Sequence, residues 1–109
     1  MATPEIKIIP LTQMYALKKA ENILTLEHNW TEIGDEPWDI NNLMYELPMK
    51  WELSHIALYD GNIVGYQIGC LREGAVYLNK IVVNNKVKNK GTGKQLLKSF
   101  LEKSLEKGI

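Results

Sequence analysis

The chain has 109 residues, of which 45% are hydrophobic and 24% charged, a balance typical of one soluble globular domain over residues 1–109. Thirteen Lys and Arg residues match thirteen Asp and Glu residues, so net charge favours neither nucleic acid nor a membrane surface as a partner. One cysteine, Cys70, excludes an intrachain disulfide, and no apolar run approaches the roughly 20 residues of a membrane span. With no secretory pattern at the N-terminus, we expect a cytoplasmic protein.

The first part of the chain predicts one strand and two helices. Residues 5–10 form a strand-like run, and Thr12 is placed to cap a helix over about 13–29, where apolar residues recur at helical spacing. Pro37 favours the first position of a second helix, which Pro48 would disturb.

The middle of the chain predicts three consecutive strands, at 55–59, 63–71 and 75–83, joined by tight turns at 60–62 and 72–74. Cys70 falls in an apolar strand pattern and is expected to be a small buried side chain. The predicted order is β-α-α-β-β-β-α, with helices covering a mostly antiparallel sheet. The fold class is therefore α+β, a mixture of α and β elements.

A final helix is predicted over about 92–107, with Gly108 just beyond its C-terminus. One buried stripe is expected along this helix, made of Leu96, Leu97, Phe100, Leu101, Ser104 and Leu105.

The turn before this helix predicts an anion site. A β-branched strand ends at Val83, and a lysine- and glycine-bearing turn then opens the helix: Lys88-Asn89-Lys90-Gly91-Thr92-Gly93-Lys94. Glycines let backbone N–H groups approach an anion, and a helix N-terminus adds donors and partial positive charge. A polyphosphate is the natural ligand. A Walker A motif does not fit, because position 88 is Lys and position 95 is Gln; a dinucleotide fingerprint fails at Leu96.

Residues 88–93 resemble the pyrophosphate signature of the GNAT family of N-acetyltransferases, which is Arg or Gln, two residues, Gly, one residue, then Gly or Ala. A second similarity to the family's second and third strands lies in the segment Asp60-Gly61-Asn62-Ile63-Val64-Gly65-Tyr66. The order of elements also agrees with the family from Ile6 to Ile109. One departure is Lys88, because lysine lacks the planar fork with which arginine grips phosphate.

The resemblance implies acetyl-coenzyme A as cosubstrate and a primary amine, in a small molecule or a peptide, as acceptor. It assigns the pantetheine arm to the backbone of Ile81, Val82 and Val83, as if the arm were an added strand. The pyrophosphate is assigned to residues of the turn and of the helix start, which are Lys88, Asn89, Lys90, Gly91, Thr92, Gly93 and Lys94. Thr92 is expected to be a helix cap, a phosphate donor or both.

The resemblance also points to a general base on the strand before the signature, where this chain has Asn79. An amide is no base at neutral pH, so Asn79 is a candidate for orienting water or substrate. The acceptor pocket is expected near the first two helices, either as an acidic pocket for a cationic amine or as an exposed loop with core tryptophans. The residues concerned are Trp30, Glu32, Asp35, Glu36, Trp38 and Asp39.

No metal is expected, because His28 and His55 stand far apart and no Cys or carboxylate cluster has ligand spacing. His55 fits a structural polar role at the start of a strand, and Cys70 lacks a flanking base for nucleophilic chemistry.

Family members continue beyond the final helix into another strand and helix, whereas this sequence stops at Lys107-Gly108-Ile109. Three hypotheses follow: an acetyltransferase domain, a non-catalytic remnant that at most binds coenzyme A, or half of a split or strand-exchanged assembly. The strand ending at Val83 would have an unpaired edge, which predicts a homo-oligomer or a complementing chain.

Overall fold

The computed structural model describes residues 5–28, 38–84 and 91–108. The strands form one sheet in the order β1-β2-β3-β4, and all three pairings are antiparallel. The α+β class predicted from the sequence is therefore confirmed. The elements in these parts of the chain are β1 (Ile6–Pro10), α1 (Gln13–Lys18), α2 (Ala20–His28), α3 (Ile40–Met44), β2 (His55–Tyr59), β3 (Asn62–Arg72), β4 (Ala75–Val83) and α4 (Thr92–Glu106).

Two tight turns set the register of β2, β3 and β4. Asp60 and Gly61 have φ angles of 51° and 80°, and Glu73 and Gly74 have 51° and 81°. Positive φ at both central residues is the type I′ geometry, whose twist matches that of a β-hairpin. The three predicted strands are confirmed, with β3 one residue longer at each end than expected.

Helices α1, α2 and α3 pack on one face of the sheet and enclose the main core. The sheet contributes Ile56, Tyr66, Ile68 and Val82 to this core. The helices and the segment after β1 contribute Leu11, Ala16, Ile23, Leu26 and Leu43.

Helix α4 packs on the opposite face, directly over β3. A Cβ on Gly65 would lie 3.0 Å from Val82 O and 3.3 Å from Leu96 Cδ1. A Cβ on Gly69 would lie 2.5 Å from Phe100 Cε1 and 2.8 Å from Leu53 O. Only glycine leaves room for the helix at these two points, so they fix how closely α4 approaches the sheet.

The first predicted helix is wrong in one respect, because it is divided at Lys19. Thr12 is the N-cap, as predicted, and its Oγ1 accepts a hydrogen bond from Tyr15 N at 3.1 Å. Lys19 has φ −109° and ψ 19°, outside helical values, although its N–H still donates to Tyr15 O. The predicted end at Asn29 lies outside the described residues.

The predicted start of the second helix is also wrong. The helix begins at Ile40, and Asp39 is its extended N-cap. The Asp39 side chain accepts from Asn42 N at 3.0 Å, and the Asn42 side chain accepts from Asp39 N at 3.0 Å. This reciprocal capping box stabilises a start further along the chain than Pro37, which lies outside the described residues.

The single buried stripe predicted for α4 is wrong for half of its members. Leu96, Phe100 and Ser104 are buried as expected. Leu97, Leu101 and Leu105 are 39%, 49% and 77% exposed. These leucines lie about 100° further round the helix than the buried residues, because each residue turns the helix by that angle. The predicted C-terminus is confirmed, with Gly108 at φ 77° after the C-cap Lys107.

Among the described helices, none is both long enough and apolar enough to cross a membrane.

Gly69→Ala should lower the free energy of unfolding by about 1–3 kcal/mol, because the added methyl group overlaps Phe100 and the Leu53 carbonyl. Urea unfolding measures this change. The matched control is Gly93→Ala in the first turn of α4, where the nearest atom of the described residues to an added Cβ, the helix's own backbone apart, is Val83 Cγ2 at 3.7 Å. Equal stability of Gly69→Ala and wild type would contradict the packing described here.

Candidate functional site

The end of β4 leads towards the start of α4, where the sequence predicts an anion site. Asn84 N donates to Val64 O at 2.7 Å, which holds the chain to β3 just beyond the last residue of β4. Three residues of the predicted turn, Lys88, Asn89 and Lys90, lie outside the described residues. The described part of this region consists of the end of β4 and the beginning of α4, from Gly91 onwards.

Gly91 is the N-cap of α4, in the left-handed conformation with φ 75° and ψ 21°. The prediction that Thr92 caps the helix is therefore wrong. Thr92 is the first helical residue, and its side chain is buried beside Gly65. A left-handed N-cap favours glycine, which explains why Gly91 occupies the position. Gly91 has no side chain to cap the helix, so no cap side chain accepts from the N–H groups at the N-terminus of α4.

The first turn of α4 has the character of an anion site. Gln95 N makes the first hydrogen bond of the helix, to Gly91 O at 3.0 Å, so Gly93 and Lys94 precede the regular hydrogen bonding. The first turn contains no acidic residue, and Lys94 is exposed. Backbone donors, partial positive charge and one ammonium group therefore occur together in this turn.

The outer edge of β4 begins beside this turn. Backbone groups of successive strand residues point to alternate sides, and Asn84 N–H points to β3. By this alternation Ile81 and Val83 direct their N–H and C=O groups away from β3, whereas Val82 directs them towards it. No other described strand pairs with this edge, since β4 is the last strand of the sheet.

Asn79 lies where β4 bulges. Ile68 pairs with Lys80 and Gly69 with Leu78, so Asn79 is the extra residue between the two pairs. Its Oδ1 is buried and has no hydrogen-bond partner within the described chain. A buried acceptor of this kind is suited to water or to a ligand N–H group.

Cys70 lies next to this bulge and is 3% exposed, which confirms the expected small buried side chain. Burial raises the pKa of the Cys70 thiol. The positive charge of Arg72, a hydrogen bond with Asn79 and the positive charge of Lys50 each lower this pKa and so oppose part of the rise. A neutral buried thiol is a poor nucleophile.

Trp38 brings the helical layer to the same face of β4. Lys80 Nζ lies 5.0 Å from the centroid of the Trp38 ring. The residue just before the Asp39 cap of α3 therefore lies beside the bulge. Asp39 caps α3 and is therefore already engaged by Asn42. The other acceptor-pocket candidates, Trp30, Glu32, Asp35 and Glu36, lie outside the described residues.

Lys50 is a buried cation that the sequence interpretation missed. It is 1% exposed, and its Nζ donates to Leu43 O at 2.5 Å and Tyr45 O at 2.6 Å. The ammonium group thus satisfies carbonyls at the C-terminus of α3 and lies 4.7 Å from the Trp51 ring centroid. Burial lowers the pKa of Lys50, with a smaller opposing effect from Glu46. Nothing in the local pattern marks this lysine as buried.

His55 has a structural environment. It is buried, and its Nδ1 lies 2.8 Å from Gln67 Oε1. Burial is the main reason that the pKa of His55 is lowered, which keeps the ring neutral. Within residues 5–28, 38–84 and 91–108, no group of three or more His, Cys, Asp or Glu side chains could hold a metal ion.

Comparison with known families decides the identity of this arrangement. The profile of the acetyltransferase (GNAT) family matches residues 17–109. The chain belongs to the GNAT family. The sheet, the bulged β4 and the glycine-capped α4 are thus parts of a GNAT fold.

Solved structures show the same fold. The ribosomal-protein-S18-alanine N-acetyltransferase from Escherichia coli is 18% identical, with a TM-score of 0.72 over 95% of this chain and 62% of that chain. A diaminobutyrate acetyltransferase from Paenibacillus lautus, bound to its substrate and coenzyme A, is 12% identical, with a TM-score of 0.71 over 90% of this chain and 57% of that one. A GNAT acetyltransferase from Staphylococcus aureus is 24% identical, with a TM-score of 0.70 over 95% and 68%.

This GNAT chain spans about three fifths of the length of the first two structures. No curated protein matches it by sequence.

Lys50→Met should lower the free energy of unfolding by about 1–3 kcal/mol, because it leaves the carbonyls of Leu43 and Tyr45 without their donor. The folded-state pKa of Lys50 lies below the ordinary 10.5, so the unfolded chain binds more protons between the two values. The advantage of wild type over Lys50→Met should therefore grow as pH rises from neutral towards 10.5.

Urea unfolding at several pH values tests this expectation. Lys98→Met is the control, because the Lys98 side chain is 74% exposed on α4. An advantage that shrinks with rising pH, or an equal change in the control, would contradict the role given to Lys50.

Proposed function

We propose that this chain is the acetyl-coenzyme A-binding part of an N-acetyltransferase that acetylates a primary amine. The observation that carries the proposal is the junction of β4 and α4. An outward-facing strand edge at Ile81 and Val83 lies beside a helix N-terminus that is capped by glycine and free of acidic side chains. Membership of the GNAT family supports the same function.

The pyrophosphate of the cosubstrate suits the first turn of α4. Gly93 carries no side chain, and among the described residues outside its own helix backbone only Val83 lies within 4 Å of an added Cβ. We assign the phosphates to the N–H groups of Gly91, Thr92, Gly93 and Lys94, with charge from Lys94. Lys88, Asn89 and Lys90 complete the proposed set from the preceding turn.

The pantetheine arm suits the edge of β4 because it contains amide groups. The outward N–H and C=O groups of Ile81 and Val83 can pair with these amides as with an added strand. Val82 lies between them, is 8% exposed, and holds the strand to the core. The thioester would then extend from the phosphate end of β4 towards the bulge at Asn79.

The chemistry is transfer of an acetyl group from sulfur to nitrogen. The amine nitrogen attacks the thioester carbonyl carbon, the C–N bond forms, the C–S bond breaks, and the amine loses a proton while the thiolate gains one. Asn79 cannot accept that proton at neutral pH, but its buried, unpartnered Oδ1 can orient an N–H group or a water. We assign Asn79 this orienting role.

The acceptor belongs to the class of primary amines in small molecules or peptides. The neighbours are named for a ribosomal-protein alanine, for diaminobutyrate and, in a soil metagenomic enzyme, for an aminoglycoside. Trp38 over Lys80 places an aromatic side chain of the helical layer beside the bulge, where such an acceptor would approach. Acetyl-coenzyme A and the single buried cysteine both fit the cytoplasm.

Gly93→Glu should abolish acetyl-coenzyme A binding, because a carboxylate would occupy the first turn of α4 and repel the phosphates. Isothermal titration calorimetry measures binding, and circular dichroism checks the fold. Gly93→Ala is the matched control and should stay folded with weakened binding at most. Undiminished affinity in Gly93→Glu would exclude this turn as the phosphate site.

Asn79→Ala should lower kcat by roughly tenfold or more and leave acetyl-coenzyme A affinity unchanged, because the residue orients the acceptor and not the cosubstrate. Asn79→Asp supplies a carboxylate of similar shape and should introduce a new ionisation in the pH profile of kcat. A panel of peptides, diamines and amino sugars assayed by thiol release tests both variants. Unchanged kcat in Asn79→Ala would remove the residue from the mechanism.

A further inference from the structure

A cavity of about 450 Å³ lies between α2 and the turn that joins β2 to β3. The described residues that line it are Glu21, Asn22 and Thr25 of α2 and Asn62 and Ile63 at the start of β3. Small-molecule sites in proteins usually have volumes of about 300–1,000 Å³, so this cavity is large enough for a ligand. The proposed acetyl transfer uses none of these residues.

The cavity is far from the proposed transfer site. Ile63 lies five residues before Ile68 on β3, and Ile68 pairs with Lys80 beside the bulge. A strand rises about 3.3 Å per residue, so about 17 Å of β3 separate the cavity from the bulge. A molecule in the cavity is therefore out of reach of a thioester at Asn79, and the cavity is a second site.

The polar side chains of the cavity are available to a ligand. Within the described residues, Glu21 forms no ion pair, and the side chains of Asn22 and Thr25 form no hydrogen bond. Asn62 Nδ2 donates to Asp60 O at 3.3 Å, which leaves Asn62 Oδ1 as an acceptor. A few convergent polar groups of this kind orient the ligand in small-molecule sites.

The geometry of α2 arranges these groups from the floor of the cavity to its rim. Each residue turns a helix by about 100°. Asn22 therefore lies beside the buried Leu26, close to the sheet, whereas Thr25 and Glu21 lie further round the helix. Ile63 is half-buried against the main core and supplies an apolar wall.

The charge of the cavity favours a cation. Among the described residues that line it, Glu21 is the one with an ionised side chain. The start of α2 is not an isolated helix N-terminus, because Ile23 N donates to Lys19 O at 3.0 Å and helical hydrogen bonding resumes directly after α1. The oxygens of Glu21, Asn22 and Asn62 therefore match a ligand with an ammonium group and further N–H or O–H donors.

We propose that this cavity, which we call the α2 site, binds a small hydroxylated amine of the amino-sugar class. The ammonium group binds the Glu21 carboxylate, and the ligand hydroxyl groups bind the three uncharged polar side chains. Hydroxyl groups suit this lining because they both donate and accept, as the amide of Asn22 and the hydroxyl of Thr25 require. A polyamine suits it less, because it carries several charges and no acceptor. The proposal does not rest on the proposed acetyl transfer.

A titration of the 109-residue chain with glucosamine, followed by ¹⁵N NMR, tests the α2 site. The side-chain amide signals of Asn22 and Asn62 should shift, with a dissociation constant in the millimolar range because solvent screens the exposed carboxylate. Glucose lacks the ammonium group and should bind roughly tenfold more weakly. Glucosamine binding should weaken when the salt concentration rises to about 0.5 M.

Three variants locate the interaction. Glu21→Gln keeps the shape of the lining and removes its charge, so it should weaken glucosamine binding by roughly tenfold and leave glucose binding unchanged. Thr25→Val removes one hydroxyl group and should weaken the binding of both sugars. Glu102→Gln is the matched control, because the Glu102 side chain is 65% exposed on α4, across the sheet from α2, and this variant should bind glucosamine like wild type. The amide spectrum checks the fold of each variant.

Unshifted Asn22 and Asn62 signals at about 20 mM glucosamine would overturn the proposal, as would equal responses to glucosamine and glucose. An equal loss of binding in Glu21→Gln and Glu102→Gln would trace the effect to net charge and would also overturn it. The titration contains no acetyl-coenzyme A, so its failure leaves the proposed phosphate site standing. A chain that does not bind acetyl-coenzyme A would, in turn, still bind glucosamine at the α2 site.

Discussion

Helix α4 can lie against the middle of the sheet because β3 offers two glycines on the face that the helix covers. At Gly65 and Gly69 even a methyl group would collide with Val82 O, the Phe100 ring or the Leu53 carbonyl. Close packing at these points fixes the height, direction and rotation of the helix together. The position of its N-terminus beside the end of β4 follows from this contact, and so does the side of the helix that faces the sheet edge.

The bulge at Asn79 divides β4 into two halves with different surroundings. Before the bulge, Val76 and Leu78 turn their backbone groups outwards in an uncharged apolar stretch. After it, Ile81 and Val83 do the same beside the glycine-capped start of α4. One extra residue changes which side chains and amides face outwards, so the two halves of this strand present different edges.

The helical layer on the other face is held by polar contacts as well as by its core. The Asp39 capping box fixes the start of α3, and Lys50 satisfies carbonyls at its end from a buried position. A charge in such a place is stabilised by its hydrogen bonds and opposed by its desolvation. This layer brings Trp38 beside Lys80, next to the β4 bulge.

The sequence by itself determined the features that depend on neighbouring residues. The two I′ turns, the strands between them, the Thr12 cap and the glycines around α4 all follow from local backbone preferences, and together they led to the correct family. The family signature at residues 88–93 likewise marks the turn to which we assign the phosphates.

Only the tertiary structure decided the features that depend on distant residues. Leu97 and Leu101 have the same helical spacing as the buried residues, and their exposure follows from where β3 meets α4. The burial of Lys50 depends on carbonyls of Leu43 and Tyr45, and the unpartnered Oδ1 of Asn79 depends on a bulge between two strands. Local spacing cannot encode such contacts, because they arise when segments far apart in the chain pack together.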